Sequence, residues 1–226
     1  MNRSYCLLLF GFLLFSSSIL AQQMTLEEFV SGQYIHGISY EKAQSYGTDA
    51  VPQLLEMLDN PKYDAARVNI VTVLGYIGEE SAWLPLVQYF ERQNGEVSES
   101  TFISLLVVFQ SLGHLSQQGN PAILQYLAKW TEADQWRRSA LRFSHKKYRG
   151  QQLGEVIGRL AIQGLGISGR PEALAVLTNL QAQTSRLYAD FKWEWSDNVE
   201  EAMSLNKVIQ QSGVASVFGD NNESAH

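Results

Sequence analysis

The chain has 226 residues, with 17 Lys+Arg against 23 Asp+Glu and one cysteine, Cys6. That acidic balance argues against general nucleic-acid binding, which needs a basic field to displace counterions from phosphates. Cys6 falls in an N-terminal stretch expected to be removed, so the remainder has no thiol for catalysis, metal binding or disulfide exchange.

The removable stretch is residues 1–21. Arg3 supplies a positive start, residues 7–15 are apolar apart from Gly11, and Ser16-Ser17-Ser18-Ile19-Leu20-Ala21 forms a small-residue cleavage region. This is the pattern of a secretory signal peptide cut near Ala21, and its apolar core is short for a membrane span of about 20 residues. The mature chain is then secreted or periplasmic and carries 16 Lys+Arg against 23 Asp+Glu, a net charge near −7.

Residues 22–48 read as N-terminal capping helices. Thr25 caps a start with Glu27 and Glu28 in its first turn, where carboxylates complement the helix dipole. Ser39 begins a second short helix, and Gly47 stops it. From Asp49 the pattern becomes regular. Pro52 opens a helix with Leu54, Leu55 and Leu58 on one face, and Asn60-Pro61 ends it. Asp64 is expected to cap the next helix, whose inner face is Ala66, Ile70, Val73, Leu74 and Ile77, with Gly75 and Gly78 as its stops. The pair recurs from Ala82 through Pro85 to Phe90, followed by a helix capped by Ser98 that runs to Leu112-Gly113. A third pair opens at Asn120-Pro121 and resumes at residues 153–165. A fourth opens at Arg170-Pro171, its partner expected at residues 199–211 behind an Asp197 or Asn198 cap. The tail 220–226 is polar and reads as disordered.

Registering Leu74-Gly75, Leu112-Gly113 and Leu165-Gly166 tests the repeat. Ile70 matches Val108 and Ala161, Val71 matches Phe109 and Ile162, and the outward Thr72 matches Gln110 and Gln163. Paired helices at a period of about 30–50 residues mark an all-α chain built as an α-solenoid, here of about four helix pairs over residues 49–219. The spacings are 38 and 53, the second stretched by an insertion over 131–151 in the third pair.

The pairs Pro52–Gly78, Pro85–Leu115 and Pro121–Gly169 resemble HEAT repeats, particularly the shorter HEAT-like repeats of phycobilisome lyases. The resemblance covers about residues 49–180 and rests on the recurring Pro, Leu and Leu-Gly positions. It implies a curved right-handed superhelix acting as a protein- or peptide-binding scaffold, second helices lining its concave side. The insertion is longer than a standard turn of that family.

Two groups of residues are candidate partner contacts. The insertion holds Trp136, Arg137, Arg138, Arg142, His145, Lys146, Lys147 and Arg149, and guanidinium planes there suit carboxylates, phosphates or an anionic membrane surface. An amphipathic extra helix with solvated charges, packed through Leu141 and Phe143, explains the same residues. The outward row Thr72, Tyr76, Gln110, His114 and Gln163 is placed to line the concave groove, or to be a plain solvated face. Tyr188, Phe191, Trp193 and Trp195 suit an extended segment that caps the stack or forms a platform for a partner or a carbohydrate.

No catalytic set, metal site or cofactor motif is assigned. The match of Gly164–Gly169 to G-x-G-x-x-G follows a helix instead of a strand. His36, His114, His145 and His226 have no second ligand at helical spacing. The adjacent glutamates Glu27-Glu28, Glu79-Glu80 and Glu200-Glu201 suit helix starts, and Asn222 heads a glycosylation sequon in the tail. The expected role is a secreted or periplasmic protein- or peptide-binding scaffold. Its alternatives are an envelope component with anionic-surface affinity and a lyase-like accessory factor holding a ligand in the groove.

Overall fold

The computed structural model describes residues 24–35, 37–132, 135, 141–187 and 195–219. The expected signal peptide, Trp136, Arg137, Arg138, His36, residues 188–194 of the aromatic cluster and the tail with its sequon lie outside the described residues. The described chain is all-α. Its helices are α1 (Leu26–Ser31), α2 (Tyr40–Ser45), α3 (Val51–Asp59), α4 (Arg67–Ile77), α5 (Trp83–Glu91), α6 (Glu99–Leu115), α7 (Pro121–Trp130), α8 (Gly150–Ile167), α9 (Pro171–Leu187), α10 (Trp195–Ser212) and α11 (Ala215–Phe218). The strands β1 (Gly95–Glu96) and β2 (Phe143–Ser144) pair in parallel. No described helix is long and apolar enough to cross a membrane.

Polar side chains cap four of the helix starts. Thr25 and Glu28 satisfy each other's backbone N–H in a full capping box. Ser39, Ser98 and Asn120 accept from the amides of Lys42, Thr101 and Ala122. Asp64 does not cap α4. It lies in a 3₁₀ turn over Pro61–Ala66, α4 begins at Arg67 without a side-chain cap, and the Asp64 carboxylate pairs with Arg67 at 2.6 Å. Likewise α10 begins at Trp195, ahead of both expected caps.

The helices form two rows. In one, α4, α6, α8 and α10 lie side by side in that order, and α1 and α2 pack against α4. Gln110 meets Gln163 and Gly113 meets Gly164, while Gly166 meets Ala202 and Gly169 meets Ile209, so contacts advance together along neighbouring helices. These helices therefore run in the same direction. The second row is α3, α5, α7 and α9, each packed against its partner in the first. The nine residues matched by register are Ile70, Val108, Ala161, Val71, Phe109, Ile162, Leu74, Leu112 and Leu165, and none has any exposed surface. Burying a Leu, Ile or Phe side chain contributes about 1.5–3 kcal/mol, so this layer is the main apolar seam. Val71 belongs to it, although the expected inner face of α4 omitted that residue.

The Leu-Gly glycines are not helix stops. Gly75, Gly113 and Gly166 all lie inside their helices. A Cβ on Gly75 would sit 2.7 Å from the Cα of Ser111, one on Gly113 2.5 Å from the Gly164 carbonyl oxygen, and one on Gly166 2.9 Å from the Ala202 carbonyl oxygen. Each faces the next helix of the row, where the missing side chain lets two backbones approach. The fourth helix lacks the signature because no further helix of this row follows it among the described residues. The stops lie further on, at Gly78 (φ 74°), Gly119 (φ 96°) and Gly169 (φ 58°), where the left-handed backbone favours glycine.

Residues 141–149 of the insertion are not helical. Val97 donates to Ser144 O and Gly95 to Arg142 O, laying residues 142–144 along β1, and His145 and Tyr148 bond each other's backbones across a tight turn. Phe143 is buried with its ring 5.6 Å from Phe90, edge to face.

Candidate functional site

The outward row converges on one half-open cavity of about 260 Å³. Thr72 and Tyr76 come from α4, Gln110 and His114 from α6, and Gln163 from α8. Each i, i+4 pair projects from one helix face, and the common register sets those faces in line. The far wall is α10, through Asn198, Glu201 and Leu205, and Phe218 of α11 closes the remaining side. All five residues of the predicted row thus line the same space. Asn198, Glu201 and Leu205 follow the same helical spacing and were legible in principle, had the register been extended to the fourth pair. Phe218 carried no periodic signal.

The polar groups of the floor differ in how far they are satisfied. Thr72 donates to Val68 O at 2.9 Å and Ser111 to Val71 O at 2.8 Å. Gln110 donates to the Gln163 side chain at a long 3.4 Å, leaving amide donors and acceptors available to a ligand. His114 is only 5 % exposed. Its neighbours are rings: Tyr76 at 5.0 Å and 88°, Phe218 at 4.8 Å and 71°, and Tyr40 at 6.3 Å. Burial disfavours the imidazolium and pushes its pKa from 6.5 down to about 3. At neutral pH His114 therefore presents one N–H donor and one nitrogen acceptor, without charge.

The basic segment lies elsewhere. His145 stacks on Phe102 at 4.2 Å and 3°, with Nε2 3.1 Å from the Glu99 carboxylate. Glu99 begins α6 and His114 lies in its last turn, so about 22 Å of helix separates the two regions. His145 was expected at a contact surface, but it is 1 % exposed and buried as an anchor. Lys146 pairs with Glu99 at 2.8 Å and Arg149 with Glu96 at 2.7 Å. These pairs pin the segment to the loop before α6. Arg142 and Lys147 are exposed, and Arg142 lines a separate shallow cleft with Phe90 and Trp130. Trp195, the described member of the aromatic cluster, is buried at the start of α10 and is not in an extended strand. No group of three or more His, Cys, Asp or Glu suited to a metal occurs among the described residues.

Compared with known proteins, the chain matches no family model, no curated protein and no solved structure.

Proposed function

We propose that the chain is an exported, HEAT-like α-solenoid whose groove holds a segment of a protein or peptide. The observation that carries this reading is the meeting of Thr72, Tyr76, Gln110, His114 and Gln163 from three parallel helices in one cavity. Glutamine amides and a neutral imidazole match the donors and acceptors of peptide bonds, and the surrounding rings suit an apolar side chain. The volume supports a peptide over a large ligand. At about 260 Å³ the cavity is below the roughly 300–1,000 Å³ usual for drug-sized molecules, which weighs against a bilin-sized ligand. The pairing of Lys146 and Arg149 with Glu99 and Glu96 weighs against the insertion as a freely charged docking face.

A peptide array probed with the mature chain and with a Gln110→Ala/Gln163→Ala double variant tests the groove. Two lost hydrogen-bonding side chains should weaken the bound peptides about tenfold or more, and identical array profiles would sink the reading. Export is checked separately: the protein isolated from the producing cell should begin at Gln22.

A further inference from the structure

The cavity already holds one aromatic ring supplied by the chain itself. Tyr40, Tyr76 and His114 are carried by α2, α4 and α6, and they meet largely edge to face, with Tyr76 5.1 Å from Tyr40 at 69° and 5.0 Å from His114 at 88°. Phe218 completes the group at 4.8 Å from His114 and 6.3 Å from Tyr76. Tyr40 and His114 are buried. Phe218, in contrast, is half-buried on a helix of four residues that buries none of them.

Helix α11 is a single turn joined to α10 by a glycine. It follows Gly213, whose φ of 80° makes the turn out of α10. Its far end rests on α2, where a Cβ on Gly219 would lie 2.7 Å from the Glu41 carboxylate. Between those two points, Phe218 is the side chain that α11 contributes to the cavity. Space remains beside it in the cavity that His114 also lines. A ring filling the whole site would gain packing contacts that Phe218 leaves unmade.

We propose that this cavity is a receptor for an aromatic side chain of an external peptide, and that Phe218 is its resident competitor. In the closed state α11 seats Phe218 against His114, and in the open state α11 turns out about Gly213 and the incoming ring takes its place. The incoming peptide's flanking amides then meet Gln110, Gln163 and the His114 imidazole. The inference rests on the peptide-groove reading and narrows it to an aromatic ligand with a built-in lid.

The full mature chain and its Phe218→Ala variant can be titrated with N-acetylphenylalanine amide and N-acetylleucine amide, following the His114 ring protons by NMR. Phe218 is half-buried on a terminal helix, so the variant should keep the dispersed amide spectrum of the folded chain. A competitor that fills the site about nine-tenths of the time lowers apparent affinity about tenfold. The phenylalanine amide should therefore bind Phe218→Ala about tenfold more tightly than the wild type, and the leucine amide should bind both weakly. Equal affinity of the phenylalanine amide for the two proteins would overturn the inference, as would leucine amide binding that equals it. Either result would leave the Gln110/Gln163 array outcome untouched, so the lid and the groove fail separately.

Discussion

The two ends of α6 show opposite ways of handling polar groups. At its start, Glu99 receives Lys146 and the buried His145, and nearby Glu96 receives Arg149, so charges drawn from distant parts of the chain cancel within the molecule. At its other end, His114 is buried among aromatic rings, and Gln110 and Gln163 share one long hydrogen bond. Three members of a conspicuous cluster, His145, Lys146 and Arg149, meet carboxylates at the start of α6, while an inconspicuous row of neutral residues lines the open space.

The sharpest way to break this contrast is to part the helices that carry the neutral row. Gly164 lies where a Cβ would sit 2.4 Å from the Phe109 carbonyl oxygen and 3.0 Å from Leu127. Alanine has the better helix propensity by about 1 kcal/mol. The clash is against backbone, which cannot rotate away, so α6 and α8 must separate. We expect Gly164→Ala to lose about 2–3 kcal/mol net and to melt about 5–10 °C lower. Widening the gap should also weaken peptide binding, because Gln110 and Gln163 sit on these two helices. A Tm at or above the wild-type value would show that the row is not close-packed there.

Protonating His114 strikes the same region with no change of shape beforehand. The folded-state pKa of about 3 lies below the ordinary 6.5, so below pH 6.5 the unfolded chain takes up a proton that the folded chain refuses. The contribution to stability is present above pH 6.5 and is lost as the pH falls towards 3, at about 1.4 kcal/mol for each pH unit. Urea unfolding at pH 7.5, 5.5 and 4.5 should show the wild type losing about 2–3 kcal/mol more than His114→Gln by pH 4.5. The carboxylates titrate alike in both proteins and cancel in the difference. Parallel pH profiles would place His114 in contact with water or with a partner.

The seam and the cavity row were readable because both follow from one register. Positions three and four apart share a helix face, and three helices in the same phase put Ile70, Val108 and Ala161 inwards and Thr72, Gln110 and Gln163 towards the groove. The glycines were misread because a helix stop and a close helix contact both select for a missing Cβ. Gly75 and Gly78 are three residues apart and do different jobs. The fate of the basic segment was hidden because its partners Glu96 and Glu99 lie about 50 positions upstream, outside any window of local pattern. Helix α11 was missed for a simpler reason: four residues are too few to show a period.

The mildest perturbation addresses the fastened end. Glu99 is about half exposed, and the Lys146 ammonium, then the His145 ring, hold its carboxyl below the usual range. A depressed carboxyl of this kind contributes above its unfolded pKa and loses that contribution as acid protonates it. Glu99→Gln removes the charge but keeps a hydrogen-bonding oxygen near both partners, and solvent already screens the pair. The melt should fall by at most about 2 °C, the difference should shrink in 1 M salt as the Debye length contracts to about 3 Å, and peptide binding at the other end of α6 should not change. A loss as large as that of Gly164→Ala, or a changed array profile, would mean that the fastener and the groove are coupled along α6, and the two ends would then have to be treated as one site.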